Sequence, residues 1–381
     1  MFKQIWLWLG RLLGRVLLLL LVLGLTGAAL GYAYYSWKFS GPVASEEQIP
    51  ADESAHTEAI IEDAIRVVEQ HRSDTRVLRD AHAKAHGCVK AEVRVRSDLA
   101  PQWQHGVLRE PGKTWQAWMR LSNGNAYPQF DRVRDARGMG LKLLDVPGEK
   151  LLGTAAEQDF VMFNHPTFFV RDVAQYRQNF AAQAKGEQVM AFFPSADPRT
   201  WELRHLLIAL QTLSPAPETP LASTYSSIAP FKLGPQVIKY RVIPANDQCP
   251  AYSPAAQNRE LPNFLRNALY QQLSADRVDA CFALQVQAQN PAYYMPIEDP
   301  SVAWDEGISP FVTVADIRVP AQDFDNREQN VLCDNLSFNP WHALPEHQPL
   351  GGINRLRKAV YEAVSVYRHA RNHAPIGETP K

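Results

Sequence analysis

The sequence predicts an α+β fold: an antiparallel β-barrel of about eight strands with surrounding helices, preceded by one N-terminal transmembrane helix. Three observations predict it. Segments of period-two or short apolar pattern recur along the chain, beginning with KAEVRVRS from Lys90 and WQAWMRLS from Trp115. Hairpin-length gaps separate several of them, which favours antiparallel pairing, and seven or eight such strands are enough to close a barrel. Before all of these lies an uncharged run, VLLLLLVLGLTGAALGYAYY (Val16–Tyr35), long enough to cross a bilayer core as a helix.

That run is preceded by Lys3, Arg11 and Arg15. Trp6 and Trp8 sit at one end of it, and Tyr32, Tyr34, Tyr35 and Trp37 at the other. Basic residues before a span favour a cytoplasmic N-terminus, and aromatic side chains favour the two interfaces. The expected arrangement is a cytoplasmic segment 1–15, a single span 16–35 and a polar, proline-bearing tether 36–56. The rest then lies outside the cytoplasm, in the periplasm or the extracellular space. A cleaved signal peptide fits less well, because the apolar run is long for one and no A-x-A site follows.

A helical period runs over TEAIIEDAIRVVEQHR (Thr57–Arg72). After the first two strands come GMGLKLLDV, DFVMFN, FKLGPQVIKYRVIP, CFALQVQAQ and FVTVADIRVP as further strand segments. Helical segments lie between them: RDVAQYRQNFAAQAKG, PRTWELRHLLIALQTL and PNFLRNALYQQLSA. The last helix is RKAVYEAVSVYRHARN, Arg357–Asn372. No Gly/Ser linker divides the region after Ala55, so 57–372 reads as one domain, followed by a tail, 373–381.

A net charge of −1 over 381 residues gives no support to a nucleic-acid partner. Cys88, Cys249, Cys281 and Cys333 form no C-x-x-C, which argues against a zinc ribbon or a thioredoxin motif. An oxidising compartment permits disulfides, but spacing does not pair these four. His82 and His86 in RDAHAKAHG are four apart, half of a metal site on a helix, yet no H-E-x-x-H glutamate accompanies them. A surface pair is the simpler reading. On the last helix Arg357, Tyr361, Ser365 and Arg368 share one stripe, so two guanidinium groups bracket a tyrosine.

Taken in order, these segments resemble the haem-containing catalase family. HAK before a strand, with an arginine three residues before the histidine, looks like the segment of the family's distal histidine. MRLS is similar to its R-F-S strand, and RDARGMGLKL to R-D-x-R-G-F-A-x-K-F. DFVMFNHPTFFVRD is similar to D-L-V-G-N-N-x-P-x-F-F-I-R-D. CFALQVQ followed by EDPSVAWDEGISPFVTVADIRV resembles the L-x-I-Q and D-P-T-K-x-W-P segments. R-x-x-x-Y in RKAVY matches the proximal-ligand helix. The resemblance runs from about Thr57 to Asn372.

It implies haem b, since no C-x-x-C-H for covalent attachment is present, with Tyr361 as the phenolate ligand of the iron. Arg357, one turn away, would stabilise that phenolate. Arg368, roughly 10 Å further along the axis, would meet a haem propionate, as would Arg79 and Arg120. Phe168 and Phe169 would line the distal side, and Tyr176 falls where the family stacks a phenylalanine on the haem. His82 would be the distal acid–base, oriented by Ser122. The implied substrate is a peroxide. With Val16–Tyr35 as an anchor, a lipid hydroperoxide becomes an alternative to hydrogen peroxide. A homo-oligomer smaller than the tetramers of ordinary catalases is compatible with this anchored form. A haem-binding module without catalysis is the other alternative.

One departure matters. The family's distal asparagine aligns with Phe163, and Asn164 falls one position later. Asn164 is carried as the distal amide on the expectation that a one-residue bulge returns it to the site; without a bulge, strand parity turns it to the opposite face.

Overall fold

The computed structural model describes residues 13–27, 29–30, 42–44, 46–72, 76–245, 248–249, 252–253 and 255–374. They fall into two compact units, Met1–Val43 with Asn290–Tyr294, and Ala44–Gln289 with Met295–Lys381.

In the first unit, residues 13–27 and 29–30 are helical and the leucines from Leu13 to Leu30 are exposed. Among the described residues no helix is long and apolar enough to cross a membrane. Residue 28 and residues 31–35 of the expected span, much of 1–15, part of the tether and most of 373–381 lie outside the described residues.

The second unit is built on one antiparallel sheet. Its strands are β1 (Ala85–Val95), β2 (Thr114–Asn123), β3 (Arg137–Leu143), β4 (Gln158–Phe163), β5 (Tyr225–Ser226), β6 (Phe231–Leu233), β7 (Gln236–Pro244), β8 (Ala280–Ala288) and β9 (Val312–Val319). The order β5-β4-β3-β2-β1-β9-β8-β7, with β5 paired to β7, closes an eight-stranded ring, and β6 extends β7 as a hairpin. Alternate residues fill the barrel, among them Val89, Met119, Leu121, Met139, Leu141, Phe160, Tyr240, Phe282 and Ile317. The period-two pattern therefore reports the inner face, as expected for a sheet closed on itself. The two-residue β5 carries too little pattern to be seen in the sequence.

Six α-helices surround the barrel among the described residues. They are α1 (Glu53–Gln70), α2 (Val173–Gln183), α3 (Leu203–Thr212), α4 (Phe264–Tyr270), α5 (Arg327–Asn335) and α6 (Gly352–Arg371). Helix α1 begins at Glu53, before the expected Thr57, because Arg355 at the start of α6 pins the preceding segment. Its guanidinium contacts Glu47 at 2.5 Å, Glu53 at 2.7 Å and Glu298 at 3.0 Å. The apolar stripes of α1, α2 and α6 then meet in a second core of Ile60, Ala64, Val68, Val173, Phe180, Ile353, Leu356, Val360 and Val364. This core fixes which face of α6 is left for the site.

Cys88 pairs with Cys333, and Cys249 with Cys281. The first bond ties β1 to α5 across 245 residues. A cross-link over so long a loop removes much entropy from the unfolded chain, so Cys333→Ser is expected to cost about 2–5 kcal/mol, read as a fall in melting temperature.

Candidate active site

The site is built on the outer face of the barrel. In the register, Ser122 lies opposite Gly138, which lies opposite Phe163, and the next row on that face is Arg120, Gly140 and Val161. The two glycines leave space that side chains from elsewhere occupy. A Cβ on Gly138 would stand 2.4 Å from His82 Nδ1, and one on Gly140 would stand 2.9 Å from the Phe338 ring. Gly138 is therefore what allows the His82 imidazole to pack close against the sheet. Gly138→Ala is expected to displace that ring and, by overpacking, to cost about 1–3 kcal/mol, read as a fall in melting temperature.

His82 sits in the loop before β1, not on a helix, and its backbone has φ +56°. A β-carbon residue in the left-handed region is strained and must be held by its surroundings. Its N–H donates to Gly124 O at 2.9 Å, and Arg120 Nη2 donates to its carbonyl at 2.8 Å. The ring Nδ1 lies 3.0 Å from Asn123 O and 3.2 Å from Ser122 Oγ. A donor–acceptor pair on Nδ1 places the proton there and leaves Nε2 as the free acceptor. Burial, then the Arg120 charge, lower the His82 pKa to about 4, so the ring is neutral at pH 7.

Across from it, Tyr361 on α6 accepts a hydrogen bond from Arg357 Nε at 3.2 Å, and Asn354 Oδ1 holds Arg357 Nη1 at 3.1 Å. His82 and Tyr361 both line a cavity of about 290 Å³ and a second of about 100 Å³. Arg79, Arg120 and Arg368 line the larger one, together with Asp80. Arg79 donates to the carbonyls of Asp334 (3.2 Å) and Leu336 (2.6 Å), and Arg368 to that of Asp334 (2.6 Å). Burial depresses all three arginines, Arg79 to about 10 and Arg368 to about 9, and the Arg79 charge adds to it at Arg120 and Arg368. Arg120 Nε has no hydrogen-bond partner. Asp334 is already paired with Arg76 at 2.6 Å, and burial raises the Asp80 carboxyl to about 6.

The catalase family model matches residues 40–203. Among curated proteins, Catalase easC of Arthroderma otae is 30% identical over 125 residues, covering 32% of this chain and 23% of that protein. The protein of the same name from Trichophyton verrucosum is 30% identical over 125 residues, with 24% of its length covered. The chain thus matches about a quarter of the length of these relatives. Among solved structures, a fungal catalase superposes with TM-score 0.60 at 16% identity, covering 86% of this chain and 65% of that one. Catalase A from Saccharomyces cerevisiae gives 0.60 at 14% identity, covering 89% and 71%.

The fold is catalase-like.

A catalase-like reading implies haem, and three features of the site fit one. A phenol with a cationic donor on its oxygen faces the cavity. The walls around it are Val161, Phe163, Phe168, Val360 and Val364. Three guanidinium groups also line the larger cavity, Arg120 and Arg368 buried and Arg120 with an unmet donor, and a ligand carrying two carboxylates would offset their charge.

Of the residues expected in this catalase-like site, His82, Ser122, Arg79, Arg120, Tyr361, Arg357, Arg368, Phe168 and Tyr176 line one or both cavities. Phe169 stands one layer back, its ring 4.6 Å from Phe168. The Asn164 expectation is corrected. Strand β4 runs to Phe163 with no bulge against β3, so parity puts Phe163 on the cavity side. The Asn164 side chain is committed elsewhere: Oδ1 accepts from Arg137 N at 2.6 Å, and Nδ2 donates to Ser214 Oγ at 3.1 Å.

The His82/His86 surface pair is also corrected, since His86 is fully buried in β1 with neither ring nitrogen hydrogen-bonded. The segment before α6 is held by packing partners, although Phe338 and His342 also line the larger cavity. Trp341 Nε1 donates to Asn354 O at 2.7 Å, and His347 Nε2 accepts from Val107 N at 3.0 Å. His342 pairs with Asp159 at 2.9 Å. Glu157, Asp159 and His342 cluster at metal-ligand distances, but Lys142 already pairs with both carboxylates. Residues that sequence reasoning missed are Asp80, Gly138, Gly140 and Phe338. The G-x-G alternation on β3, which clears one face of side chains, was the available signal for two of them.

Proposed function

We propose that this chain decomposes or reduces peroxides with a bound haem b. The observation that carries the reading is the convergence of His82, the Arg357–Tyr361 pair and the Arg79, Arg120 and Arg368 cluster on two adjoining cavities. Tyr361 would ligate the iron as phenolate, and the three arginines would receive the propionates. A bound haem would supply the two-electron redox chemistry of its iron. The protein's own contribution is proton handling. Nε2 of neutral His82 accepts the proton from the attacking peroxide oxygen and returns it to the leaving oxygen. Ser122 and the Asn123 carbonyl hold the ring in the tautomer that keeps Nε2 free. Arg357 Nε donates a charged hydrogen bond to the Tyr361 oxygen and fixes its direction.

A second reading, a lipid-hydroperoxide peroxidase or rearrangement enzyme, is favoured by Phe163 in the wall where a distal amide was expected. It is favoured also by the apolar run from Val16, which we propose as a single-pass anchor with the haem domain outside the cytoplasm, alone or as a homo-oligomer. The two disulfides suit such a compartment. A haem-binding module without catalysis is disfavoured, because mere binding needs neither a strained His82 nor the glycine beneath it.

The test is turnover of both substrates by the purified full chain. Consumption of a fatty-acid hydroperoxide well above oxygen release from hydrogen peroxide supports the lipid reading. Fast oxygen release with no consumption of the fatty-acid hydroperoxide overturns it in favour of dismutation.

A further inference from the structure

The correction at Asn164 leaves a chemical question. A peroxide at this site has His82 on one side, and the amide expected to donate a second hydrogen bond is turned away. Phe163 cannot replace it. One other polar side chain of the aromatic wall does face the same space. Tyr176, on α2, lines the smaller cavity with Asp80, His82, Phe163 and Phe168. Its ring is fixed edge-on by Phe168 at 5.1 Å, Phe169 at 6.0 Å and Phe180 at 4.8 Å. Its hydroxyl makes no hydrogen bond among the described residues, although an enclosed tyrosine hydroxyl ordinarily finds a partner.

We infer that the Tyr176 hydroxyl is a catalytic hydrogen-bond donor that, opposite His82, holds the peroxide in place of the missing amide. The inference rests on the haem-dependent reading above. The chemistry suits the role. A phenol ionises only at about pH 10, so Tyr176 keeps its proton and stays a donor at neutral pH. A donor on one side of the O–O bond and an acid–base on the other polarise that bond without any further group. The ring also keeps the apolar contact that a phenylalanine would make, so its hydroxyl adds a function to a wall position and does not disturb it.

The test is Tyr176→Phe in the full-length chain, read by cyanide titration of the ferric protein. Cyanide is a small anion that a distal donor stabilises, and its binding is followed by the shift of the haem absorption band. The expected result is a cyanide dissociation constant raised about tenfold, since a hydrogen bond to a charged group is lost, with haem content and melting temperature unchanged. Asn164→Ala is expected to leave the cyanide affinity as in the wild type and to lower the melting temperature. Unchanged cyanide affinity in Tyr176→Phe, with a normal haem band, overturns this inference and leaves the haem reading standing. A wild type that takes up no haem overturns both. A variant that fails to keep haem or to fold assigns Tyr176 to the framework and also overturns it.

Discussion

Tyr361→Phe is expected to abolish the spectrum of a tyrosinate-ligated ferric haem. The phenol oxygen is the group of the site that would hold a ferric iron, and its removal leaves the α6 packing in place. The helix is held by Ile353, Leu356, Val360 and Val364 against α1 and α2, and none of these depends on the hydroxyl. The expected loss of haem affinity exceeds the roughly 10–100-fold that a metal site loses with an orienting partner. Arg357→Ala supplies that smaller step for comparison, because it removes the cation 3.2 Å from the oxygen and leaves the oxygen in place. Equilibrium haem transfer and the absorption spectrum together separate the two. Equal effects would mean that Tyr361 acts only through Arg357.

His82→Gln is expected to keep the haem and to lose about 10²–10⁴-fold in peroxide turnover, the usual contribution of a positioned acid–base. The pH profile gives a second reading of the same residue. With its pKa lowered to about 4, His82 stays neutral and able to accept a proton from pH 8 down to about pH 5. Turnover should be level over that range and fall only near pH 4. Stability is a poorer probe. The folded His82 binds its proton less readily than the unfolded chain does, so its contribution is present above pH 6.5 and lost as pH falls toward 4. Asp80 runs the other way. Its folded value of about 6 lies above the model-peptide 3.8, so its contribution is present at low pH and lost as pH rises through 6. The two slopes oppose each other between about pH 4 and 6.

The parts of this fold that follow from short-range pattern were legible in the sequence. The stripe Arg357, Tyr361, Ser365 and Arg368 follows from helical period alone, and α6 presents it as expected. Strand alternation gave the barrel's inner face, and strand parity already held the answer at Phe163 and Asn164. What decides between a bulge and a regular ladder, the hydrogen bond from Arg137 N to the Asn164 side chain, joins residues 27 apart and leaves no local trace. His82 is in a loop, where no period reports which way a side chain points. Its place on the sheet depends on Gly138, across a pairing that sequence alone does not specify. The disulfides are likewise properties of the closed barrel, since Cys88 and Cys333 meet only once β1 and α5 are packed. Asp80 and Phe338 had no signal at all: one is an ordinary loop carboxylate and the other an ordinary apolar residue until the cavity forms between them.

The central claim is that the space between His82 and Tyr361 holds a haem. Its most direct measurement is the absorption spectrum of the purified full chain, with haem quantified as its pyridine complex. The account predicts about one haem b per chain, with a Soret band and the charge-transfer bands of a ferric tyrosinate complex. A colourless protein that takes up no haem on reconstitution would contradict it.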